Sequence, residues 1–171
     1  TITSALTDDP DTAAALRHCE QLVREGAHIL DIGGESTRPG SPAVPLAEEL
    51  ARVLPVIAGL HAAGTTPISI DTYKSDVADA ALRAGASIVN DVWGAQRDPA
   101  IATVAARTGA PIILMHNRET TDPALDILDE VLRFLERSIA IATQAGVARG
   151  QIVVDPGIGR FGKTKEQSLR L

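Results

Sequence analysis

Short aliphatic runs ending in a polar residue recur along this chain, and segments with helical spacing separate them. Residues 29–32, 67–70, 87–89, 111–114 and 151–154 are rich in Ile, Val and Leu. Each is too short for a buried helix, so five buried strands are predicted. They finish at Asp31, Asp71, Asn90, His116 and Asp155. Between them, residues 13–25 place Ala15, Cys19, Leu22 and Val23 on one helix face, stopped by Gly26. Residues 45–63 carry the stripe Leu46, Leu50, Val53, Leu54, Ile57 and Leu60, with Pro55 positioned to kink or split the helix. Helices are also predicted over 75–84, 98–108 and 123–145, closed by Gly85, Gly109 and Gly146, and another starts at 165–171. Residues 1–9 carry no legible element.

Helix, glycine, aliphatic strand and polar terminus thus alternate five times, the pattern of βα units around a parallel sheet. In such folds the strand C-termini share one face, and ligands bind there. Taken singly, each polar strand end could merely cap its own turn. Asp31 and Asp91 fit that reading one by one, but the set as a whole reads as the wall of a pocket for a heteroatom-rich small molecule. A (β/α)8 barrel takes about 250 residues. The fold class expected is therefore α/β, a TIM barrel here lacking the first strand and the last two, as one partial domain over 1–171.

Composition narrows the partners. The chain has 171 residues, 44% of them hydrophobic but only 2% aromatic, so its core must be Ala, Val, Ile and Leu. The net charge of −6 comes without a basic cluster and argues against nucleic acid. No segment has the length of a membrane helix. No signal peptide opens the chain and Cys19 is the only cysteine, so an intracellular protein without disulfides is expected, with Cys19 a small buried hydrophobe.

The loop after the first predicted strand reads GGESTRPG (33–40). Its two glycines permit close backbone approach, and a carboxylate, two hydroxyls and a guanidinium follow. Together with SIDTYK (69–74), IVNDVWG (88–94), LMH (114–116), and DPGIG with FGKT (155–164), it stands in the order and spacing of dihydropteroate synthase, and the chain resembles that family from about residue 11 to 171. The resemblance implies a TIM barrel, a cytoplasmic homodimer and a sulfonamide target. It also implies an Mg²⁺-dependent transferase of folate biosynthesis, which joins p-aminobenzoate to 6-hydroxymethyl-7,8-dihydropterin pyrophosphate and releases pyrophosphate. By the same resemblance, Asp71, Asn90, Met115, Asp155, Gly159 and Phe161 bind the pterin. Asp155 takes the 2-amino-4-oxo edge, Met115 forms the floor, and Phe161 lies near the aminobenzoate. Thr37, Arg38 and Pro39 form the anion and aminobenzoate loop, and Asp71, Asp155 and Arg38 carry the chemistry. A planar guanidinium suits a pyrophosphate or carboxylate. His116 is read as a ring fixed by hydrogen bonds at a strand end, in preference to a base.

The sequence also departs from the family pattern. The family's opening loop supplies a metal-site Asn, and no Asn precedes Asn90 here, so no metal ligand is assigned. The Ser-Arg-Lys and Arg-x-His segments of the last two strands have no counterpart, so turnover by these 171 residues alone is not expected. Arg160 reads as an insertion. It brings residues 157–164 into the pattern G-x-x-x-x-G-K-T, a P-loop signature that would place Lys163 on nucleotide phosphates. Two more readings compete with the synthase. One is a pterin-dependent methyltransferase barrel, against which ESTRPG argues; the second is a non-enzymatic remnant.

Overall fold

The computed structural model describes residues 12–36, 41–64, 66–159 and 161–171, and the backbone of 2–6. The strands are β1 (Ile2–Leu6), β2 (Ile29–Gly33), β3 (Ile68–Asp71), β4 (Ile88–Asp91), β5 (Ile112–Met115) and β6 (Ile152–Asp155). The helices are α1 (Thr12–Arg24), α2 (Leu46–Ala63), α3 (Ser75–Ala84), α4 (Ala100–Thr108), α5 (Ile127–Gln144) and α6 (Lys165–Ser168), with a single 3-10 turn, Arg149–Gln151, before β6. All strand pairs are parallel and the order is β1-β2-β3-β4-β5-β6. Sequential parallel neighbours joined by helices are the βα progression of a TIM barrel.

The expectation that the first strand is lacking is corrected. β1 pairs with β2 in register from Ile2 opposite Ile29 to Leu6 opposite Gly33. Its sequence, ITSAL, has no continuous aliphatic run; main-chain pairing, rather than hydrophobic pattern, marks it as a strand. Two further boundaries differ. The fifth helix starts at Ile127 and not near Pro123, because Asp122 closes a turn onto Ala124 N and the Asp126 carboxylate then caps Leu128 N at 3.2 Å. The last helix is four residues long, held by a reciprocal Thr164–Gln167 capping box. α2 runs unbroken through Pro55.

Leu30, Ile32, Ile68, Ile70, Val89, Ile112 and Leu114 pack in one cluster with Val53 and Ile57 of α2, Val77 and Ala81 of α3, and Ile101 and Ala105 of α4. Each fully buried aliphatic side chain contributes about 1.5–3 kcal/mol. Cys19 joins this cluster, and burial pushes its thiol pKa up, as suits a small hydrophobe. A smaller cluster, Ile127, Val131, Phe134 and Leu135, lies along α5.

Candidate active site

Side chains alternate across a strand, so fixing the aliphatic residues against the helices turns the alternate residues to the other face of the sheet. Asp31, Asp71, Asn90, Met115 and Asp155 stand at those alternate positions. With Val92, Pro156, Gly157, Ile158 and Phe161 they line one cavity of about 420 Å³ at the strand C-termini. That volume lies within the range of small-molecule sites. Asp91 shows how phase decides role. It falls in step with Val89, is fully buried, and its carboxylate accepts Trp93 N at 2.8 Å and Ala95 N at 2.7 Å. Asp91 is a turn cap, and Asp31 is not.

Asp31 accepts the Ser69 hydroxyl at 2.5 Å on one oxygen and the Asn90 amide at 3.0 Å on the other. Burial raises its pKa, and those two bonds oppose the rise. Asp71 sits opposite Gly33 and Asn90 in the ladder, and its Oδ1 is buried without a hydrogen-bond partner. Burial first, then the charges of Asp31, Asp91, Glu49 and Glu35, hold its carboxyl well above the ordinary range. The cavity thus pairs a carboxyl whose hydrogen-bond donors oppose the effect of burial with one that burial and neighbouring carboxylates hold well above the ordinary range. Asp155 accepts Gly157 N at 2.7 Å on one oxygen. Met115 and Phe161 supply apolar wall.

The segment from Asp155 into α6 folds back onto the end of β5. Gly157 has φ +66°, and a Cβ there would lie 2.2 Å from the His116 carbonyl oxygen. Gly159 turns its N–H to Ser168 Oγ at 2.6 Å, and the cavity wall is formed by Gly157 and Ile158 in its place. The amides of Gly157, Gly159 and Thr164 are all bonded within this segment. Lys163 Nζ meets backbone carbonyls, at 2.8 Å from Gly157 O. A P-loop would present those groups to phosphate, so the nucleotide signature at 157–164 has no structural counterpart among the described residues.

The expectation of a hydrogen-bonded His116 is also corrected. The ring is fully buried, neither nitrogen bonds to another residue, and it meets Phe134 edge-on at 4.8 Å. Burial, then Lys163 and Arg118, lower its pKa to about 4, so the ring is neutral near pH 7 and stands behind the cavity wall.

Thr37, Arg38, Pro39 and Arg160 lie outside the described residues. The stem of the GGESTRPG loop is anchored. Glu35 accepts Val44 N at 3.1 Å, Lys74 Nζ at 2.6 Å and the Tyr73 hydroxyl at 3.3 Å, and Lys74 also reaches Glu49 at 2.5 Å. Among the described residues no three His, Cys, Asp or Glu side chains converge as cation ligands, and none of the described helices is long and apolar enough to cross a membrane. Sequence reasoning allowed Asp31 a turn-cap reading when taken singly and assigned it no pterin contact, and it gave Lys163 a role only through the P-loop pattern. The phase of Asp31 against Leu30 and Ile32 was the available signal for the first; for the second there was none.

The family model of the pterin binding enzymes matches residues 4–171. The chain belongs to that family. Among the curated pterin binding enzymes, the dihydropteroate synthase of Bacillus subtilis is 51% identical over 155 residues, covering 91% of this chain and 54% of that protein. The dihydropteroate synthase of Clostridium difficile, crystallised in the presence of pteroic acid, matches with TM-score 0.91 and 43% identity, over 99% of this chain and 66% of that one. That of Xanthomonas albilineans in complex with 7,8-dihydropteroate matches with TM-score 0.88 and 38% identity, over 99% and 63%. The chain spans about half the length of the curated relatives it matches, 54% and 58% for the first two.

Proposed function

We propose that this chain is the pterin-binding barrel domain, residues 1–171, of a dihydropteroate synthase. The full-length enzyme joins p-aminobenzoate to 6-hydroxymethyl-7,8-dihydropterin pyrophosphate, giving 7,8-dihydropteroate and pyrophosphate. The observation that carries the reading is the convergence of Asp31, Asp71, Asn90 and Asp155 on one cavity whose remaining wall is apolar. A pterin presents adjacent N–H donors on its 2-amino-4-oxo edge, and the carboxylate of Asp155 accepts both. Asn90, whose amide is spent on Asp31, offers its carbonyl oxygen and a second N–H. Such buried partners reject analogues that lack the matching atoms.

Departure of pyrophosphate from the exocyclic methylene leaves positive charge on the pterin. Asp31, itself buried, and Asp71 face that charge, and fixed charges placed where charge develops act strongly. Burial and the surrounding carboxylates raise the pKa of Asp71, and a ring gaining positive charge acts against that rise. The aromatic amine then attacks the methylene, so that a C–N bond replaces the broken C–O bond, and the proton it sheds passes to the departing pyrophosphate or to solvent. Arg38, with Thr37 and Pro39, is assigned to the leaving anion and the aminobenzoate, and Phe161 to the aminobenzoate side. Met115 and Gly159 complete the pterin set, Gly159 through the turn that seats Phe161. Mg²⁺ belongs to the same proposal; it is characteristically held by substrate phosphates with one or two carboxylates rather than by a dedicated protein cage. A cytoplasmic homodimer and sulfonamide sensitivity belong to the same proposal. The test is turnover by the full-length protein. It forms dihydropteroate from the two substrates, and Asp155→Ala lowers kcat/KM by about 10³-fold or more. A wild-type protein without this turnover, or an Asp155→Ala variant within a few-fold of it, contradicts the assignment.

A further inference from the structure

Lysine is almost never fully buried unless its charge is paired, yet Lys163 is 4% exposed. Its ammonium bonds to backbone carbonyls from both ends of one loop and from a neighbouring strand end: Gly157 O at 2.8 Å, Phe161 O at 3.3 Å and His116 O at 3.5 Å. An ammonium has three donors and no acceptor, and here three carbonyls receive them. Two of those carbonyls flank cavity-lining residues. Gly157 is itself in the wall and donates its N–H to Asp155 Oδ1, and Phe161 is the aromatic part of the wall. The third follows Met115, the apolar wall of β5.

The glycines on either side make the same contact at backbone level. Gly157 rests on His116 O, and Gly162, at φ +69°, rests on Arg118, whose Cβ would lie 2.4 Å from an added methyl. The two ends of the loop, Gly157 and Gly162, therefore rest on the segment just past β5, and Lys163 is the polar tie between them and His116. The charged groups around the ammonium are Asp155 on β6, which favours its protonation, and Arg118 beyond β5, which opposes it. Burial is the larger influence and brings the lysine to about 8, so it is still mainly protonated at pH 7.

We propose that Lys163 is a positioning residue of the pterin site: by binding Gly157, Phe161 and His116 through their carbonyls, it locks the β6–α6 loop on β5 and so aims Asp155 and Phe161 into the cavity. Lys163 neither lines the cavity nor touches substrate. The role rests on the pterin reading, and its consequence is specific. Removing the ammonium loosens Asp155 and Phe161 together, so dihydropterin affinity and the KM for the pterin substrate suffer more than kcat.

The test uses the full-length protein, with 7,8-dihydropterin plus pyrophosphate as the calorimetric probe and hydrogen exchange across residues 156–163 in the ligand-free state. Lys163→Ala is expected to weaken dihydropterin binding about tenfold or more, the scale of one charge-assisted hydrogen bond, and to speed exchange in the loop. Added propylammonium restores both by refilling the ammonium position. Lys163→Met, which keeps the packing, shows the same loss and serves if the alanine variant does not fold. Affinity within about twofold of wild type in Lys163→Met, or a loss in a folded Lys163→Ala that propylammonium leaves untouched, overturns the proposal. A wild-type protein that binds no dihydropterin refutes the pterin reading and the aiming of Asp155 and Phe161 with it. Loop exchange then judges the tie alone: faster in Lys163→Met supports it, and unchanged removes it too.

Discussion

At the scale of single residues, the site is built from groups whose environments push their ionisation in opposite directions. Asp71 holds its proton more tightly in the folded chain than in the unfolded one, first through burial and then through neighbouring carboxylates. Between the ordinary carboxylate range and that raised value the native state binds more protons, so stability falls as pH rises. Asp71→Asn removes this penalty. Its melting temperature relative to wild type is expected to become more favourable from pH 4 to pH 8, while its affinity for dihydropterin falls. A difference independent of pH contradicts the assignment. His116 works the other way. Its pKa is about 4 in the fold against about 6.5 when unfolded, so the stability it confers is complete above 6.5 and is lost as pH falls through 4. His116→Leu, close in volume, lacks that loss, and the wild type weakens relative to it between pH 6.5 and 4 in parallel thermal melts. The comparison must be made pH by pH, because Asp91, raised to about 6 by burial, acts in the opposite sense over an overlapping window. These residues were legible as polar strand ends. What separates Asp31 in the cavity from Asp91 under a turn is one position of strand phase. Their identical chemistry hides that, and the neighbouring aliphatic residues reveal it.

At the scale of elements, the strands and helices with a strong aliphatic pattern were readable because burial on both faces of a parallel sheet leaves little freedom in composition. β1 was not, since ITSAL pairs through its backbone with β2 without an aliphatic run. The late start of α5 was obscured because Pro123 suits a first helical turn, whereas Asp122 uses it to build a separate turn. The β6–α6 loop misled most, since its glycines and lysine match a phosphate loop in sequence. The structure shows Gly157 and Gly162 serving close contact with His116 and Arg118, just past the end of β5. Gly157→Ala forces a Cβ against the His116 carbonyl at a left-handed φ, a strain of about 1–3 kcal/mol. The expected outcome is a loss of dihydropterin affinity of about tenfold or more, with the far-UV circular dichroism of the helices unchanged. Wild-type affinity in Gly157→Ala would show that the loop's seat on β5 is irrelevant to the site.

At the scale of the whole molecule, six consecutive parallel strands bring the four polar strand ends of the cavity to one face. No pair of them is close in sequence, and only the βα progression unites them. β6 ends the described sheet with Val153 and Val154 at 52% and 45% exposed, and the relatives are longer than this chain. Pterin recognition is thus assigned to residues present here, whereas turnover is assigned to the full-length enzyme. The most direct measurement is a calorimetric titration of this 171-residue chain with 7,8-dihydropterin plus pyrophosphate, alongside its Asp155→Ala variant and an ATP control. Saturable dihydropterin binding that Asp155→Ala abolishes, with no heat from ATP, is the expected result. Dihydropterin binding indifferent to Asp155, or ATP binding that depends on Lys163, would contradict the assignment of this cavity to a pterin.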